Sequence, residues 1–427
     1  MIPMRERDVA AAPDEIIGVS IVMPCLNERN SLPHCVLNAR AALAEIERRY
    51  GLKGEIIVAD NGSTDGSQML ATGLGARVVD VPRRSYGAAL IGGAEAARGR
   101  FLVMGDSDGS YDFTDGVAMV GMLIDGADLC MGSRFQGGIA PGAMPWKNRY
   151  IGNPALTGIL NLFFRTGIDD AHCGLRAITK DAFARLGLTG TGMEFASEMV
   201  VKASLKKLRI EQTPATLSPD LRDRPPHLRP WRDGWRHLRY LFLSSPTWAF
   251  GVPALLAIAA SAAVLTVALL HFIGVLPGPS RFGASWTIAA GFLFANGHLA
   301  LIMAVAGHLH GVKSGDRLLK PVIKRLSGLL TLETMLAIGA VFIAAGLFGF
   351  AVIADYWAES GYVALPNTLP LVLSALSCAI GVQTIFGGFL LGVILGNTAA
   401  FVDKTAATDE APTRRAAPAR EPLRKSA

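Results

Sequence analysis

Four long stretches without a charged side chain occupy the second half of this 427-residue chain. They lie between Arg239 and Arg281, Arg281 and Lys313, Glu333 and Asp355, and Glu359 and Asp403. Each can supply the roughly 20 apolar residues that a membrane-spanning helix needs. A soluble core seldom shows four such runs in succession, so we predict a transmembrane domain over 246–400, with spans near 249–273, 284–306, 333–354 and 369–395.

The first half carries charges throughout, although the whole chain is 51% hydrophobic. A net charge of +6 is compatible with nucleic acid or with anionic lipid, and the apolar stretches favour the membrane over nucleic acid. The five cysteines are far apart and form no Cys-x-x-Cys, so neither a disulfide scaffold nor a zinc site is indicated, and a reducing compartment fits. Residues 1–15 lack an apolar core, which predicts a flexible N-terminus and no signal peptide.

Short apolar runs alternate with helix-like segments between residues 16 and 228. The predicted strands are 18–23, 55–60, 77–81, 101–105 and 128–133. This alternation predicts an α/β domain with a mostly parallel sheet, whose ligand lies at the carboxyl ends of the strands. The polar motifs of this half all follow such an end, which favours a site there.

Two acids follow the fourth predicted strand. Residues two apart on an extended backbone point the same way, so Asp106 and Asp108 can aim two carboxylates at one point. Two oxygen ligands suit Mg²⁺ or Mn²⁺, which keep further positions for water and a substrate diphosphate. The alternative is an Asp-Gly-Ser turn with solvated carboxylates.

Two familiar nucleotide-binding signatures are missing, because the chain contains neither Gly-x-Gly-x-x-Gly after the first strand nor a P-loop. Instead, four motifs in order resemble those of family 2 glycosyltransferases with the GT-A fold, in particular the polyprenyl-phosphate (dolichyl-phosphate type) sugar synthases. They read Met23-Pro-Cys-Leu-Asn-Glu28, Val58-Ala-Asp-Asn-Gly-Ser-Thr-Asp65-Gly, Asp106-Ser-Asp108 and Met131-Gly-Ser-Arg134. The resemblance covers about 18–240 and implies a GT-A catalytic domain followed by an all-α four-helix transmembrane domain.

The resemblance also implies a nucleotide-sugar site, with Asp106 and Asp108 holding the metal. Its binding residues would be Pro24, Leu26, Glu28, Asp60, Asp65, Arg83, Arg84 and Asp106. Loop capping is the alternative for Glu28 and Asp60, and it is favoured for Asp65. Related enzymes often carry Gln and Lys where this chain has Ser110 and Tyr86, so we expect Arg83 or Arg84 to supply the missing cation.

The run from Asp169 to Arg176 resembles the motif that lines the acceptor side in this branch. The implied catalytic residues are Asp108, Arg134, Asp170 and Arg176, and the acceptor-phosphate residues are Arg134, Arg149 and Arg176. Guanidinium groups match phosphate oxygens, and a phosphate monoester needs positioning more than a general base. Solvation is the alternative for Lys147 and Arg149. Glu194 and Glu198 face either the site or solvent, and His172 is read as structural.

A proline-broken basic link at 220–230 leads to a predicted interfacial helix at 229–245. Its apolar stripe is Trp231, Trp235, Leu238 and Phe242, beside Arg232, Arg236 and Arg239. Docking of a soluble amphipathic helix on the catalytic domain is the alternative.

The loop between spans two and three is the most basic connection of the predicted transmembrane domain. By the positive-inside tendency we expect this loop, the catalytic domain and a disordered tail at 401–427 to be cytoplasmic, in a multi-pass protein of the cell inner membrane. Within the spans, Asn296, His298 and Gln383 either pair between helices or line a lipid path.

Together these features predict an inverting, metal-dependent enzyme that moves one sugar from a UDP- or GDP-type donor to a polyprenyl phosphate. Inversion is implied by the resemblance alone. Two alternatives stay open: a transferase, processive or not, that uses another lipid or a polysaccharide acceptor, and a non-catalytic membrane transport or assembly protein with a nucleotide-binding domain. A processive enzyme is disfavoured because Gln-x-x-Arg-Trp is absent. A homo-oligomer is compatible with the sequence.

Overall fold

The computed structural model of the chain describes residues 17–222, 230–278 and 280–402. The chain divides into two units, the first ending at Ser245 and the second beginning at Pro246. The predicted flexible N-terminus, most of the basic link and nearly all of the predicted tail lie outside the described residues.

A seven-stranded sheet forms the centre of the first unit. Its strands are β1 (Val19–Cys25), β2 (Gly54–Asp60), β3 (Arg77–Asp80), β4 (Phe101–Met104), β5 (Leu129–Ser133), β6 (Arg176–Thr179) and β7 (Ile210–Pro214). Their order is β3-β2-β1-β4-β6-β5-β7. Only β6 runs antiparallel to its neighbours, β4 and β5, so the sheet is mostly parallel, as predicted.

Helices cover both faces of this sheet. In chain order they are α1 (Leu32–Tyr50), α2 (Ser67–Gly73), α3 (Tyr86–Ala96), α4 (Gly116–Ile124), α5 (Arg134–Gly137), α6 (Asn153–Phe164), α7 (Lys180–Leu186), α8 (Phe195–Leu205) and α9 (Pro230–Leu243). Alternate side chains of β1 separate two cores: Ile21 packs in the cluster that includes α1 and α4, and Val22 in the one that includes α3 and α8.

The amphipathic pattern of α1 explains how one of these layers forms. Cys35, Ala39 and Ile46 belong to its buried stripe, and Arg48 and Arg49 lie in its last turn, where cations offset the helix dipole. The helix ends at Gly51, whose φ of 67° is the left-handed conformation that glycine adopts at little cost. The next residues return to the sheet as β2.

The second unit is all-α. Its helices are α10 (Val252–Phe272), α11 (Ala284–Lys313), α12 (Pro321–Arg325), α13 (Leu332–Glu359) and α14 (Leu369–Ile394). With the turn before α10 included, four of them, Thr247–Phe272, α11, α13 and α14, are long and apolar enough to cross a membrane. All four overlap the predicted spans, although α11 continues past 306 to Lys313.

Close contact between α13 and α14 depends on small residues. A Cβ atom at Gly381 would lie 2.6 Å from the Gly339 carbonyl oxygen, and one at Gly346 would lie 2.7 Å from the Ser374 carbonyl oxygen. In lipid, where helices gain little from apolar burial, such backbone proximity is a main source of packing energy. The predicted fold class, an α/β domain followed by four apolar helices, is confirmed.

Candidate functional site

The two acids after β4 lie in a buried loop at the carboxyl end of the strand. Asp108 is 7% exposed, and its Oδ1 accepts hydrogen bonds from the Ser110 amide at 3.0 Å and hydroxyl at 2.6 Å. Gly109 has a φ of 83°, and a side chain there would collide with Leu221. The loop therefore holds the Asp108 carboxylate in place.

Asp106 is the more perturbed of the two acids. Burial, followed by the neighbouring Asp108 carboxylate, raises the pKa of Asp106, and a hydrogen bond from the Tyr86 phenol opposes that rise. Tyr86 begins α3, which places its ring against the end of β4. Tyr86, at a position where the resemblance leads one to expect lysine, is therefore a neutral donor to an acid of the pair.

Arg222 connects this loop with the end of β1. Its Nη2 lies 2.6 Å from Asp108 Oδ2, and its Nε lies 3.1 Å from Glu28 Oε1. The backbone brings it there because the Leu221 amide donates to the Asp108 carbonyl at 2.8 Å. Burial of the guanidinium lowers the pKa of Arg222, but the carboxylates of Asp108 and Glu28 outweigh this effect and raise it above its usual value. Sequence reasoning missed this residue, which lies in the segment read as a basic link.

Glu28 also faces the acid loop, as its place after β1 predicts. The Ser31 hydroxyl donates to the Ser107 carbonyl at 2.7 Å, and its oxygen lies 3.2 Å from Glu28 Oε2. In turn, the Ser107 hydroxyl donates to the Pro24 carbonyl at 2.5 Å. Leu26 is half-buried in the same loop. The ends of β1 and β4 are thus joined by direct hydrogen bonds.

Asp60 and Asp65 both hold the turn after β2. Asp60 Oδ2 accepts from the amides of Gly62 and Ser63, each at 3.0 Å, and from Gln68 Nε2 at 2.5 Å. Asp65 accepts from the Ser67 amide at 3.0 Å and from the Arg29 amide at 3.0 Å. These contacts match the capping alternative, most fully for Asp65.

Arg83 and Arg84 are exposed on the loop between β3 and α3. Asn61 fixes that loop by donating from Nδ2 to the carbonyls of Val81 and Arg83, at 2.9 and 3.0 Å. The Arg84 guanidinium lies over Gly62, where a Cβ atom would be 3.1 Å from its Nη2. It therefore adds positive charge beside the β2 turn.

The predicted acceptor residues Arg134 and Asp170 form a buried bidentate pair. Arg134 Nε and Nη2 lie 2.6 and 2.7 Å from the two Asp170 oxygens, and the Arg134 amide donates to Asp170 Oδ2 at 3.2 Å. Arg134 is 8% exposed and Asp170 is fully buried. Such a pair fixes the end of β5 to the acceptor-motif segment.

Arg176 is 1% exposed and donates to backbone carbonyls, to Cys173 and, at 3.2 Å, to Ala196. It is one of the charges that act on Asp106. Arg149, by contrast, lies in a separate segment, with its guanidinium 5.4 Å from the Tyr150 ring centroid, and Lys147 is exposed. The three predicted phosphate-binding arginines therefore have different surroundings, and only Arg134 and Arg176 lie in the buried centre.

A buried imidazole pair adjoins Arg176. Ser197 Oγ lies 3.2 Å from His172 Nε2 and 2.8 Å from His237 Nδ1, and the two rings meet edge-on with centroids 4.6 Å apart. Burial lowers the pKa of His172 far below its usual range and lowers that of His237 to about 4. His237 was missed, although it shares a helix face with Asp233, opposite the tryptophans of α9.

Glu194 and Glu198 have different environments. Glu198 is 1% exposed and accepts from the amides of Thr189 and Gly190, so it holds the loop before α8. Glu194 Oε1 accepts from the Gly192 amide at 3.0 Å, whereas its buried Oε2 has no hydrogen-bond partner among the described residues. Neither residue forms the exposed helix face that was the alternative.

Comparison with known proteins was consistent with these motifs. The family model for glycosyl transferase family 2 matches residues 20–187, and the model for the family 2 C-terminal transmembrane region matches 305–395. Together with the four apolar helices, the second match makes the chain an integral membrane protein.

Two relatives differ in how much of the chain they match. The low-salt glycan biosynthesis hexosyltransferase Agl6 of Haloferax volcanii is 34% identical over 377 residues, which cover 88% of each chain. The polyprenol monophosphomannose synthase of Mycolicibacterium smegmatis is 26% identical over 211 residues, 46% of this chain and 76% of that one.

Among solved structures, glucosyl-3-phosphoglycerate synthase from Mycobacterium tuberculosis, in complex with Mn²⁺ and UDP-glucose, aligns with a TM-score of 0.41 at 20% identity. The alignment covers 54% of this chain and 79% of that one.

Proposed function

This chain belongs to glycosyltransferase family 2 and carries the family's C-terminal transmembrane region, and on that premise we propose that it transfers one hexose from a nucleotide-diphosphate sugar to a polyprenyl-type phosphate. The observation that carries the proposal is the acid pair at the end of β4, of which Asp108 is buried and Asp106 half-buried, in a chain that also carries membrane-spanning helices. The polyprenol monophosphomannose synthase among its relatives supports the class of acceptor.

The donor set at the acid pair fits a divalent cation, Mg²⁺ or Mn²⁺. Mg²⁺ is usually held by one or two carboxylates together with substrate phosphates and water, so Asp106 and Asp108 suffice without a third protein ligand. The described residues contain no group of three or more His, Cys, Asp or Glu that could hold a metal, so water and the substrate diphosphate would have to complete the coordination of a cation here. The raised pKa of Asp106 reflects unfavourable negative charge that a cation would relieve. When bound, the cation would neutralise the departing nucleotide diphosphate.

Around that centre, the residues of this chain have separable roles. Glu28 and the β2 turn, which Asp60 holds in shape, bind the nucleoside, with Arg84 adding positive charge near the phosphates. Arg222, which holds Asp108 and Glu28 through charged hydrogen bonds, orients both carboxylates until the donor enters. Arg134, Asp170 and Arg176 keep the acceptor-motif segment rigid beside Asp106.

The acceptor phosphate approaches from the membrane side, which α9 marks. The stripe Asp233, His237 and Leu241 is buried against the first unit, whereas Trp231 and Trp235 are 91% and 60% exposed. Because α9 packs on the first unit through the face that carries Asp233 and His237, the indole rings on its opposite face remain available to lie in a bilayer interface. Within the second unit, the basic loop after α11 favours a cytoplasmic position for the ends of the spanning helices that it joins.

The test is a product assay on the purified full-length protein in lipid nanodiscs. Labelled UDP- and GDP-hexoses are supplied with undecaprenyl or dolichyl phosphate and Mn²⁺, and the lipid product is analysed by mass spectrometry. We expect one hexose per polyprenyl phosphate, and a loss of at least ~100-fold in rate on Asp108→Asn, in line with the effect of removing one charge-stabilising group.

The control variant is Asp181→Asn, which removes a carboxylate that is 80% exposed on α7 and should leave the rate unchanged. A polymeric product, or a rate that Asp108→Asn does not alter, would contradict the proposal.

A further inference from the structure

The segment that joins α11 to α13 gathers cations at one end of the membrane-spanning helices. Residues 313–325 contain five cations and one acid, Asp316; the cations are Lys313, Arg317, Lys320, Lys324 and Arg325. Lys324 and Arg325 are exposed, whereas Arg317 and Lys320 are half-buried against the helices. The exposed pair, Lys324 and Arg325, and the half-buried pair, Arg317 and Lys320, therefore carry the same charge in different environments.

The half-buried pair, Arg317 and Lys320, lies near His308 of α11, which is 4% exposed. His308 Nε2 accepts a hydrogen bond from the Lys320 backbone amide at 3.4 Å. A backbone amide only donates, so Nε2 carries no proton and the neutral ring must carry its proton on Nδ1. His308 Nδ1 is buried and has no hydrogen-bond partner within the described part of the chain. A buried donor without an acceptor is unfavourable, and an acceptor from outside the protein would satisfy it.

Two cationic side chains lie at the same end of α11 as His308. The Arg317 side chain folds back along the last turn of α11, where a Cβ atom at Gly311 would collide with Arg317 Nε. Lys320 Nζ donates to Thr247 Oγ1 at 2.9 Å, at the start of the first spanning helix. Gly311 lies three residues after His308 on α11, and the Lys320 backbone amide contacts the His308 ring directly. One imidazole, one guanidinium and one ammonium group thus lie at the same end of α11.

The length of α11 places this group at the depth of lipid headgroups. The helix has 30 residues and is about 45 Å long, whereas the hydrocarbon core of a bilayer is about 30 Å thick. Trp286, which is 60% exposed near the start of α11, suits one interface. His308 lies 22 residues further on, about 33 Å along the helix axis, and so reaches the opposite interface.

We propose that His308, Arg317 and Lys320 form a binding site for the phosphate group of a membrane lipid. A guanidinium, an ammonium and an imidazole N–H together offer the donors that phosphate oxygens accept. The simpler explanation is that the cations only cap the carbonyls at the end of α11, as Lys313 does for the Leu395 carbonyl after α14. Capping explains the cations and leaves the buried Nδ1 proton of His308 without an acceptor.

This site does not depend on the proposed transferase activity, because both an anionic phospholipid and a polyprenyl phosphate carry the required group. Native mass spectrometry of the full-length protein counts the lipids it retains after addition of phosphatidylglycerol, polyprenyl phosphate or an uncharged glycolipid. We expect the wild-type protein to retain one or both phosphate lipids and not the glycolipid, and to keep them in excess inorganic phosphate.

Two double variants distinguish a specific phosphate-binding site from non-specific attraction of anionic lipids to positive charge. Arg317→Gln with Lys320→Gln should weaken retention at least tenfold, whereas Lys324→Gln with Arg325→Gln removes the same charge from the exposed pair and should behave as wild type. His308→Phe keeps the charge, removes the Nδ1 donor and should also weaken retention, which keeps the test decisive if the first variant does not fold. Equal loss in both doubles, retention of the glycolipid, or displacement by inorganic phosphate would overturn the proposal.

Discussion

Arg222 determines the charge balance of the candidate active site. It contacts Glu28 and Asp108 together, and its side chain is 15% exposed, so both carboxylates share one partly buried counter-ion. Removing one member of such a group leaves unpaired carboxylates in a poorly solvated place. The residue therefore links the stability of the site to whatever cation occupies it.

Arg222→Gln is expected to destabilise the cation-free protein by about 3 kcal/mol, since breaking a buried ion pair leaves its partners uncompensated. Mn²⁺ should restore much of that loss because it would bind Asp108 directly, so the unfolding midpoint of the variant should rise more with Mn²⁺ than that of wild type. Thermal unfolding followed by fluorescence, with and without chelator, measures both. Arg222→Lys, which keeps the charge, should be intermediate. Equal responses to Mn²⁺ in all three proteins would contradict the expectation.

The histidine pair predicts a dependence of stability on pH. The pKa of His237 is lowered from 6.5 to about 4 in the folded protein, so between these values the unfolded state binds more protons. The contribution of His237 to the free energy of unfolding should thus be fully present above about pH 6.5. It should fall by up to about 3 kcal/mol as the pH drops toward 4.

His237→Asn keeps an acceptor for the Ser197 hydroxyl without titrating, so its unfolding midpoint should vary less with pH over this range than that of wild type. The pH dependence of thermal unfolding, compared for the two proteins, checks this. Parallel pH profiles would show that His237 is not held neutral in the fold.

At the scale of elements, periodicity and strand ends predicted much of the catalytic unit. The five predicted strands correspond to β1–β5, and the acids lie after β4, because buried strands are short apolar runs that polar turns terminate. Strands β6 and β7 were not predicted from the sequence. Strand β6 begins with Arg176, which belongs to a motif that was interpreted as part of the acceptor site, and β7 (Ile210–Pro214) is only half-buried, so it lacks a continuous apolar run. Arg222 could not be predicted, since only the return of the chain after β7 brings it to Asp108.

The α9 helix leads to a prediction about membrane contact. Its buried stripe, which includes Asp233 and His237, faces the first unit, so Trp231 and Trp235 should lie in the bilayer interface. In nanodiscs made with brominated lipids, variants that keep only one of these tryptophans should show strong quenching of its fluorescence. Matched variants with tryptophan only at position 113, in place of the buried Phe113, give the unquenched reference. Quenching no stronger than this reference would contradict the interfacial assignment.

For the molecule as a whole, the motif resemblance was the stronger guide. Family membership, the fold class and the glycosyltransferase activity expected from four ordered motifs are confirmed.

The polar residues within the spans show what the sequence spacing left open. His298 Nδ1 lies 2.9 Å from Gln383 Oε1, so these two residues pair between α11 and α14, whereas Asn296 donates to the Phe292 carbonyl in its own helix. Which hydrogen bond a membrane-embedded polar group forms depends on helix rotation, and a charge-free window does not specify that rotation.

The central claim is that Asp106 and Asp108 hold a divalent cation through which the nucleotide diphosphate binds. Calorimetric titration of the full-length protein with UDP and GDP, with Mn²⁺ or with chelator, tests it directly. We expect binding of one nucleotide only when Mn²⁺ is present. Asp108→Asn should weaken that binding by at least ~100-fold, a loss of about 3 kcal/mol in binding free energy, whereas Asp181→Asn should leave it unchanged. Equally tight nucleotide binding in chelator, or in Asp108→Asn, would contradict the claim.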